Sequence, residues 1–245
     1  MTNHDLAKEE IKNFLKKHFS NRDYFSVIYG SYAYGTQRPD SDLDLIICAR
    51  EKEKDDVSVC VDFIKKIHEK YHLGLDYEIT YEKKLVVDYK FLKKTVEGVG
   101  FLNQQNQFYI PKIIKTRRYL NSEELLYRFF LDSMVHKHVF LLGNIEDYSK
   151  FRNFAVENLV RIIIKSKKLE KITVNLLVDE FIFNGEVSGD YYLGFEDKFY
   201  YRYYLTSVFE KLLKELAEKK ILLLDNYDCF RFRKDWLDKK PTFKL

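Results

Sequence analysis

Asp42 and Asp44 stand two residues apart at the head of an apolar run, and a Gly30–Ser31 step precedes them with ten residues between, in the stretch GSYAYGTQRPDSDLD. Side chains two apart on a strand share a face, so Asp42 and Asp44 project together while Leu43, Leu45 and Ile47 point the other way. Neighbouring carboxylates repel unless a cation lies between them or one takes up a proton. A hard divalent ion with oxygen ligands, Mg²⁺ above all, relieves that repulsion where phosphate is also close. The Gly-Ser step supplies the phosphate side. Gly30 permits dihedrals closed to other residues and a close approach to the main chain. Ser31 suits an N-cap, so Ser31 to Gly35 is expected as a helical turn whose amide hydrogens face an anion. The pattern points to a site for a metal-bound nucleoside triphosphate. The plainer alternative, a solvated Asp pair on a loop, accounts less well for a strand on each side and interleaved apolar residues.

These residues need elements to hold them. Phe25 to Tyr29 reads as a short strand that stops at Gly30, and Asp42 to Ile47 alternates as a second strand, with turn chemistry from Gly35 to Ser41 between them. Asp5 to Phe19 is an amphipathic helix capped by Asn3 or Asp5, and Val57 to His72 is another. In Leu73 to Tyr81 the odd positions are apolar, which leaves Asp76 and Glu78 together on the opposite face of a third strand.

At these residues the sequence resembles the DNA polymerase β-like nucleotidyltransferase superfamily, whose signature is Gly-Ser, about ten residues, then Asp-x-Asp. The GSYAYG and SDLDL variants look most like the branch containing minimal nucleotidyltransferases and aminoglycoside adenylyltransferases. The resemblance implies that Gly30 and Ser31 hold the β- and γ-phosphates, that Asp42 and Asp44 bind two Mg²⁺ ions, and that a third carboxylate follows on a later strand. Asp76 is the expected third acid, with Glu78 as the alternative. Ser41 joins the nucleotide-binding set, and Arg38 would neutralise the departing pyrophosphate. The implied reaction moves a nucleoside monophosphate, AMP being expected, from an NTP to an acceptor hydroxyl. RNA, tRNA in particular, or protein is the expected acceptor. An antibiotic adenylyltransferase is the alternative, and the net charge of +4 speaks against it, since such drugs are cationic. In a different class, the chain would be a non-catalytic nucleic-acid-binding module with a degenerate nucleotidyltransferase fold. Retention of Gly30, Ser31 and both aspartates speaks against that.

The expected fold class is α+β, with a mixed-sheet catalytic domain over residues 1–100, a linker over 101–121 and a mainly helical acceptor-binding domain over 122–245. Ser122 to Leu142 reads as a helix stopped by Gly143 and Asn144, and Tyr148 to Lys167 as a second helix. Thr173 to Phe183 and Thr206 to Lys219 follow as helices. Ile221 to Leu237 reads as a hairpin turning near Asn226, Tyr227 and Asp228. Helix, helix and ribbon is the order of a winged helix, set against an irregular bundle with a terminal hairpin. Tyr191, Tyr192, Tyr200, Tyr201, Tyr203 and Tyr204 could stack on bases, although core and interface filling is the commoner use.

Lysine and arginine nearly balance the acids, so no charged tail is present. The polar, acidic N-terminus and the lack of a long apolar run lead to the expectation of a soluble, cytoplasmic protein. Three cysteines without CxxC spacing exclude a disulfide framework or structural zinc, and Cys48 reads as a small buried hydrophobe. His68 and His72, four apart on a helix, read as surface or half-buried residues rather than a metal clamp. The aromatic surplus leaves room for a homodimer interface.

Overall fold

The computed structural model describes residues 2–74, 85–97, 134–182, 197–225, 229–239 and 242–243. The chain divides into two compact units, one made of Met1–Lys93 and Lys137–Phe151, the other of Lys94–His136 and Arg152–Leu245.

In the first unit, helix α1 (Asn3–His18) leads into strand β1 (Tyr24–Tyr29), the short helix α2 (Gly30–Tyr34), strand β2 (Asp44–Ala49) and helix α3 (Asp56–Tyr71). Strand β3 (Val86–Asp88), the start of helix α4 (Tyr89–Val96), strand β4 (Val139–Gly143) and the start of helix α5 (Ile145–Lys167) complete it. The sheet order is β3-β2-β1-β4, mixed because β1 pairs antiparallel with both β2 and β4 while β2 and β3 run parallel. All six residues of β1 are buried, as befits an interior strand covered on both faces.

Thr2 caps α1, its hydroxyl accepting from the Asp5 N–H while the Asp5 carboxylate accepts from the Thr2 N–H. Ala7, Ile11 and Leu15 of α1 and Cys60, Val61, Ile64 and Ile67 of α3 form one core with Ile28, Leu45, Ile47 and Val86 of the sheet. Beyond the opposite face, Phe25, Tyr89 and Phe151 meet ring to ring. The C-terminus of α1 is tied to the start of α3 by a buried carboxylate: Asp56 accepts two bonds from the Arg22 guanidinium, at 2.9 and 2.7 Å, and one from His18 at 2.9 Å. Burial alone would raise the Asp56 pKa, but Arg22, the Glu53 N–H and His18 together hold it below its ordinary value. His68 is only 1% exposed, against the surface or half-buried position its sequence suggested, and desolvation lowers its pKa.

β4 departs from the sequence expectation. Val139–Gly143, expected within a helix over 122–142, is a strand, because β1 has an open edge on that side and VFLLG pairs with it. Residues 122–133 of that expected helix and the expected linker at 101–121 lie outside the described residues. Asn144, expected to stop a helix, starts one: its side-chain oxygen accepts from the N–H groups of Glu146 and Asp147.

In the second unit, the rest of α5 is followed by strand β5 (Lys171–Ile172), helix α6 (Val174–Ile182), helix α7 (Asp197–Glu218), strands β6 (Leu222–Leu224) and β7 (Phe230–Phe232), and helix α8 (Lys234–Asp238). β7 lies between β5 and β6, antiparallel to both. Helix, strand, helix, helix, strand, strand with the last strand central is winged-helix order. Ile163, Ile172, Leu177, Leu205, Phe209, Leu213 and Phe230 are among its buried residues. The expected hairpin over 221–237 is shorter than its span, since residues 234–238 are helical: Trp236 is buried, its indole N–H bonds Glu157 at 3.1 Å, and Arg161 lies over its ring. Among the described residues no helix is long and apolar enough to cross a membrane.

Candidate active site

The antiparallel register of β1 and β2 sets Tyr29 opposite Asp44 and so brings the Gly-Ser step to the aspartates. Gly30 leaves β1 with φ of 70°, and a Cβ placed there would lie 2.1 Å from Asp44 Oδ2. Only glycine therefore meets both demands at this position, a left-handed backbone and a carboxylate against the Cα. α2 then makes one tight turn and ends at Gly35, with the Thr36 N–H bonded to the Ser31 carbonyl at 3.0 Å. The N-cap is Tyr29, without a side-chain bond, so Ser31 lies inside the first turn rather than capping it.

Asp42 precedes β2 and Asp44 opens it. Both are half-buried, whereas Leu43 and Leu45 are buried, so the alternation expected from the sequence holds across the strand entrance. The approach to Asp42 is fixed at several points. The Ser41 hydroxyl accepts from the Arg38 N–H at 2.9 Å, and the Ser41 N–H returns a bond to the Arg38 carbonyl at 3.0 Å. The Gly74 N–H donates to the Asp40 carbonyl at 2.8 Å, and His4 Nε2 donates to the Ser41 carbonyl at 2.9 Å. Arg38 is exposed on the same loop.

α2 is anchored on both sides by its tyrosines. The Tyr32 hydroxyl donates to Asp5 at 2.9 Å and accepts from Lys8 at 2.9 Å, while the Tyr34 hydroxyl accepts from the Lys137 N–H at 3.0 Å. The Thr2 N–H and hydroxyl, together with Tyr32, hold the Asp5 carboxyl well below the usual range, and the bond to Tyr32 raises Lys8.

Asp76 and Glu78 lie outside the described residues. The chain enters their segment beside the aspartate loop, since Gly74 is hydrogen-bonded to Asp40. The described strand after α3 is β3, and its carboxylate, Asp88, pairs with Ala49 five positions along β2 from Asp44, roughly 17 Å away at strand spacing. Asp88 accepts instead from the Phe91 N–H at 2.6 Å, at the start of α4. Among the described residues, no three of His, Cys, Asp and Glu gather as a metal cluster. Asp42 and Asp44 nevertheless suit a hard divalent ion: both are oxygen donors, they share a face, and the missing Cβ at Gly30 leaves room for the Asp44 carboxylate.

No local pattern marks His4, Asp5, Lys8 or Lys137 as belonging to this site. Asp5 and Lys8 read as part of an ordinary amphipathic helix and His4 as the residue before it, and their meeting with residues 32 and 41 depends on α1 lying beside the loop.

Residues 8–120 match the family model described as nucleotidyltransferase domain. No curated protein and no solved structure matches the chain.

Proposed function

With residues 8–120 a nucleotidyltransferase domain of the polymerase β-like superfamily, whose general activity is nucleotidyl transfer, we propose that the protein moves a nucleoside monophosphate, AMP first among them, from an NTP to an acceptor hydroxyl. The acceptor oxygen forms a bond to the α-phosphorus, the bond to the β-phosphate oxygen breaks, and pyrophosphate leaves. The carrying observation is the close approach of Gly30 to the Asp44 carboxylate, which joins a phosphate-binding turn to an acidic pair in one place.

Asp42 and Asp44 hold the divalent ions, with Asp76 or Glu78 as the third carboxylate. Bound Mg²⁺ supplies neutralisation of charge on the α-phosphate and acidification of the attacking hydroxyl. The amides of Gly30 and Ser31 hold the phosphate tail, Ser41 keeps the Asp42 loop closed against the nucleotide, and Arg38 meets the pyrophosphate as it departs. Asp76 accepts the acceptor's proton. A carboxylate near pKa ~4 is a weak base at neutral pH, so the hydroxyl must already be acidified when the proton moves.

RNA is supported as the acceptor by the winged-helix order of the second unit. A protein hydroxyl is the second reading, and the charges on the wing favour it: Lys171 and Arg231 both pair with Asp225, and Arg233 with Asp235, while Leu223, Leu224 and Tyr203 are exposed. The reaction reading leads us to place the enzyme in the cytoplasm. Incubation with α-labelled NTPs, Mg²⁺ and separate RNA and protein fractions tests both readings. Label is expected in one fraction and absent with Asp42→Ala/Asp44→Ala. Undiminished labelling by that double variant would refute the assignment.

A further inference from the structure

The start of α1 touches both halves of the proposed site. Through Nε2, His4 donates to the carbonyl of Ser41, the residue before Asp42. The same ring stacks on Tyr32, the residue after Ser31, with centroids 6.0 Å apart and planes 22° from parallel. Tyr32 is in turn fixed by its hydroxyl between Asp5 and Lys8, one helical turn of α1. His4 is 3% exposed, so its contacts are sheltered from water. A carbonyl can only accept, so the proton must be on Nε2, and the ring acts there as a donor.

We propose that His4 is a positioning residue that couples the phosphate turn to the Asp42 loop, setting the distance between the two by a single ring wedged between Tyr32 and Ser41. The inference rests on the nucleotidyltransferase reading of those two segments. Its physical basis is that the loop before Asp42 has short local bonds of its own, between Arg38 and Ser41, but is tied to the rest of the unit by the carbonyls of Asp40 and Ser41. Releasing the Ser41 carbonyl removes one of these two backbone ties and lets Asp42 shift against the turn. Groups that orient metal ligands from behind commonly change metal affinity 10- to 100-fold when removed.

The test compares His4→Phe, which keeps the stacked ring and loses the donor, with His4→Gln, which restores an N–H donor at similar reach. Amide hydrogen exchange is measured on the free full-length chain, and binding of Mn²⁺ with ATP is measured by electron paramagnetic resonance. His4→Phe should speed exchange at the Ser41 and Gly74 amides about 10-fold or more and weaken Mn²⁺·ATP binding by ~10- to 100-fold. His4→Gln should stay within about 3-fold of wild type, because it retains the donor. Unchanged exchange and affinity in His4→Phe would overturn the proposal, and so would equal damage from both variants, which would make the effect one of packing. Faster exchange in His4→Phe with no Mn²⁺·ATP bound by wild type would uphold the coupling and overturn the nucleotidyltransferase site instead. Tyr32→Phe probes the other arm without altering His4: faster exchange at the Gly35 and Thr36 amides supports the coupling, and wild-type exchange there counts against it.

Discussion

Gly30→Ala and Gly35→Ala impose the same backbone demand and differ in what lies beyond the Cα. The φ angles are 70° and 77°. An alanine in the left-handed region costs about 1–2 kcal/mol at either position. At Gly35 nothing lies within 4 Å of the added Cβ, so the cost ends there. At Gly30 the Cβ falls 2.1 Å from Asp44 Oδ2 and 3.0 Å from its Cγ, so the carboxylate must swing away by more than about 1 Å to reach ordinary contact distance. Holding a side chain in a poorer rotamer costs about 0.5–1.5 kcal/mol more. Both variants should therefore fold, with the urea midpoint of Gly30→Ala modestly below that of Gly35→Ala. Their function should separate far more widely. Displacement of a reacting or ligating group by about 1 Å costs on the order of 10²-fold. Pyrophosphate release and Mn²⁺·ATP binding, each corrected for the folded fraction, should fall about 100-fold in Gly30→Ala and less than about 3-fold in Gly35→Ala. Equal activity in the two variants would refute the argument that the missing Cβ keeps Asp44 in place.

Four further outcomes are expected. Asp56 is buried with Arg22 and His18, so Arg22→Met should destabilise the first unit by about 3 kcal/mol in urea unfolding, and a loss under about 1 kcal/mol would show the carboxylate to be adequately served without Arg22. Since the folded pKa of Asp56 is depressed, its contribution is complete above the unfolded carboxylate range near ~4 and disappears as pH falls through the lower folded value. Urea midpoints measured from pH 6 to pH 3 should drop more steeply in wild type than in Asp56→Asn. Of the three thiols, Cys48 and Cys60 are buried, with desolvation raising both and carrying Cys60 to about 12, while Cys229 is half-exposed; a thiol reagent should titrate one equivalent in the native protein and three in denaturant, and rapid native loss of all three would contradict the core. For the third acid, Asp76→Asn should reduce labelling more than Glu78→Gln, and the reverse order would move the role to Glu78.

The periodic elements were legible because local pattern and burial agree. Ala7, Ile11 and Leu15 lie on one stripe of α1, Ile64 and Ile67 on one stripe of α3, and YFSVIY is apolar enough for an interior strand. The pairing of Gly30 with Asp44 was legible as spacing, and the β1–β2 register turns that spacing into proximity. β4 was not legible. VFLLG follows a helix-patterned run, and what makes it a strand is the open side of β1, more than a hundred residues earlier. α8 was missed for a similar reason, since the seating of Trp236 beside Glu157 and Arg161 depends on tertiary contact. His4 carries no local mark either: its partner is the carbonyl of Ser41, and a backbone carbonyl has no residue type to read.

The place of β4 governs how the catalytic unit can be made. β1 emerges from the ribosome long before the strand that covers its far edge, and until Val139–Gly143 is synthesised that edge presents unpaired N–H and C=O groups along a buried, apolar ribbon. Such an edge invites pairing with another chain. Expression of the first hundred residues alone should therefore yield aggregate, whereas a piece that carries the unit intact must reach Phe151.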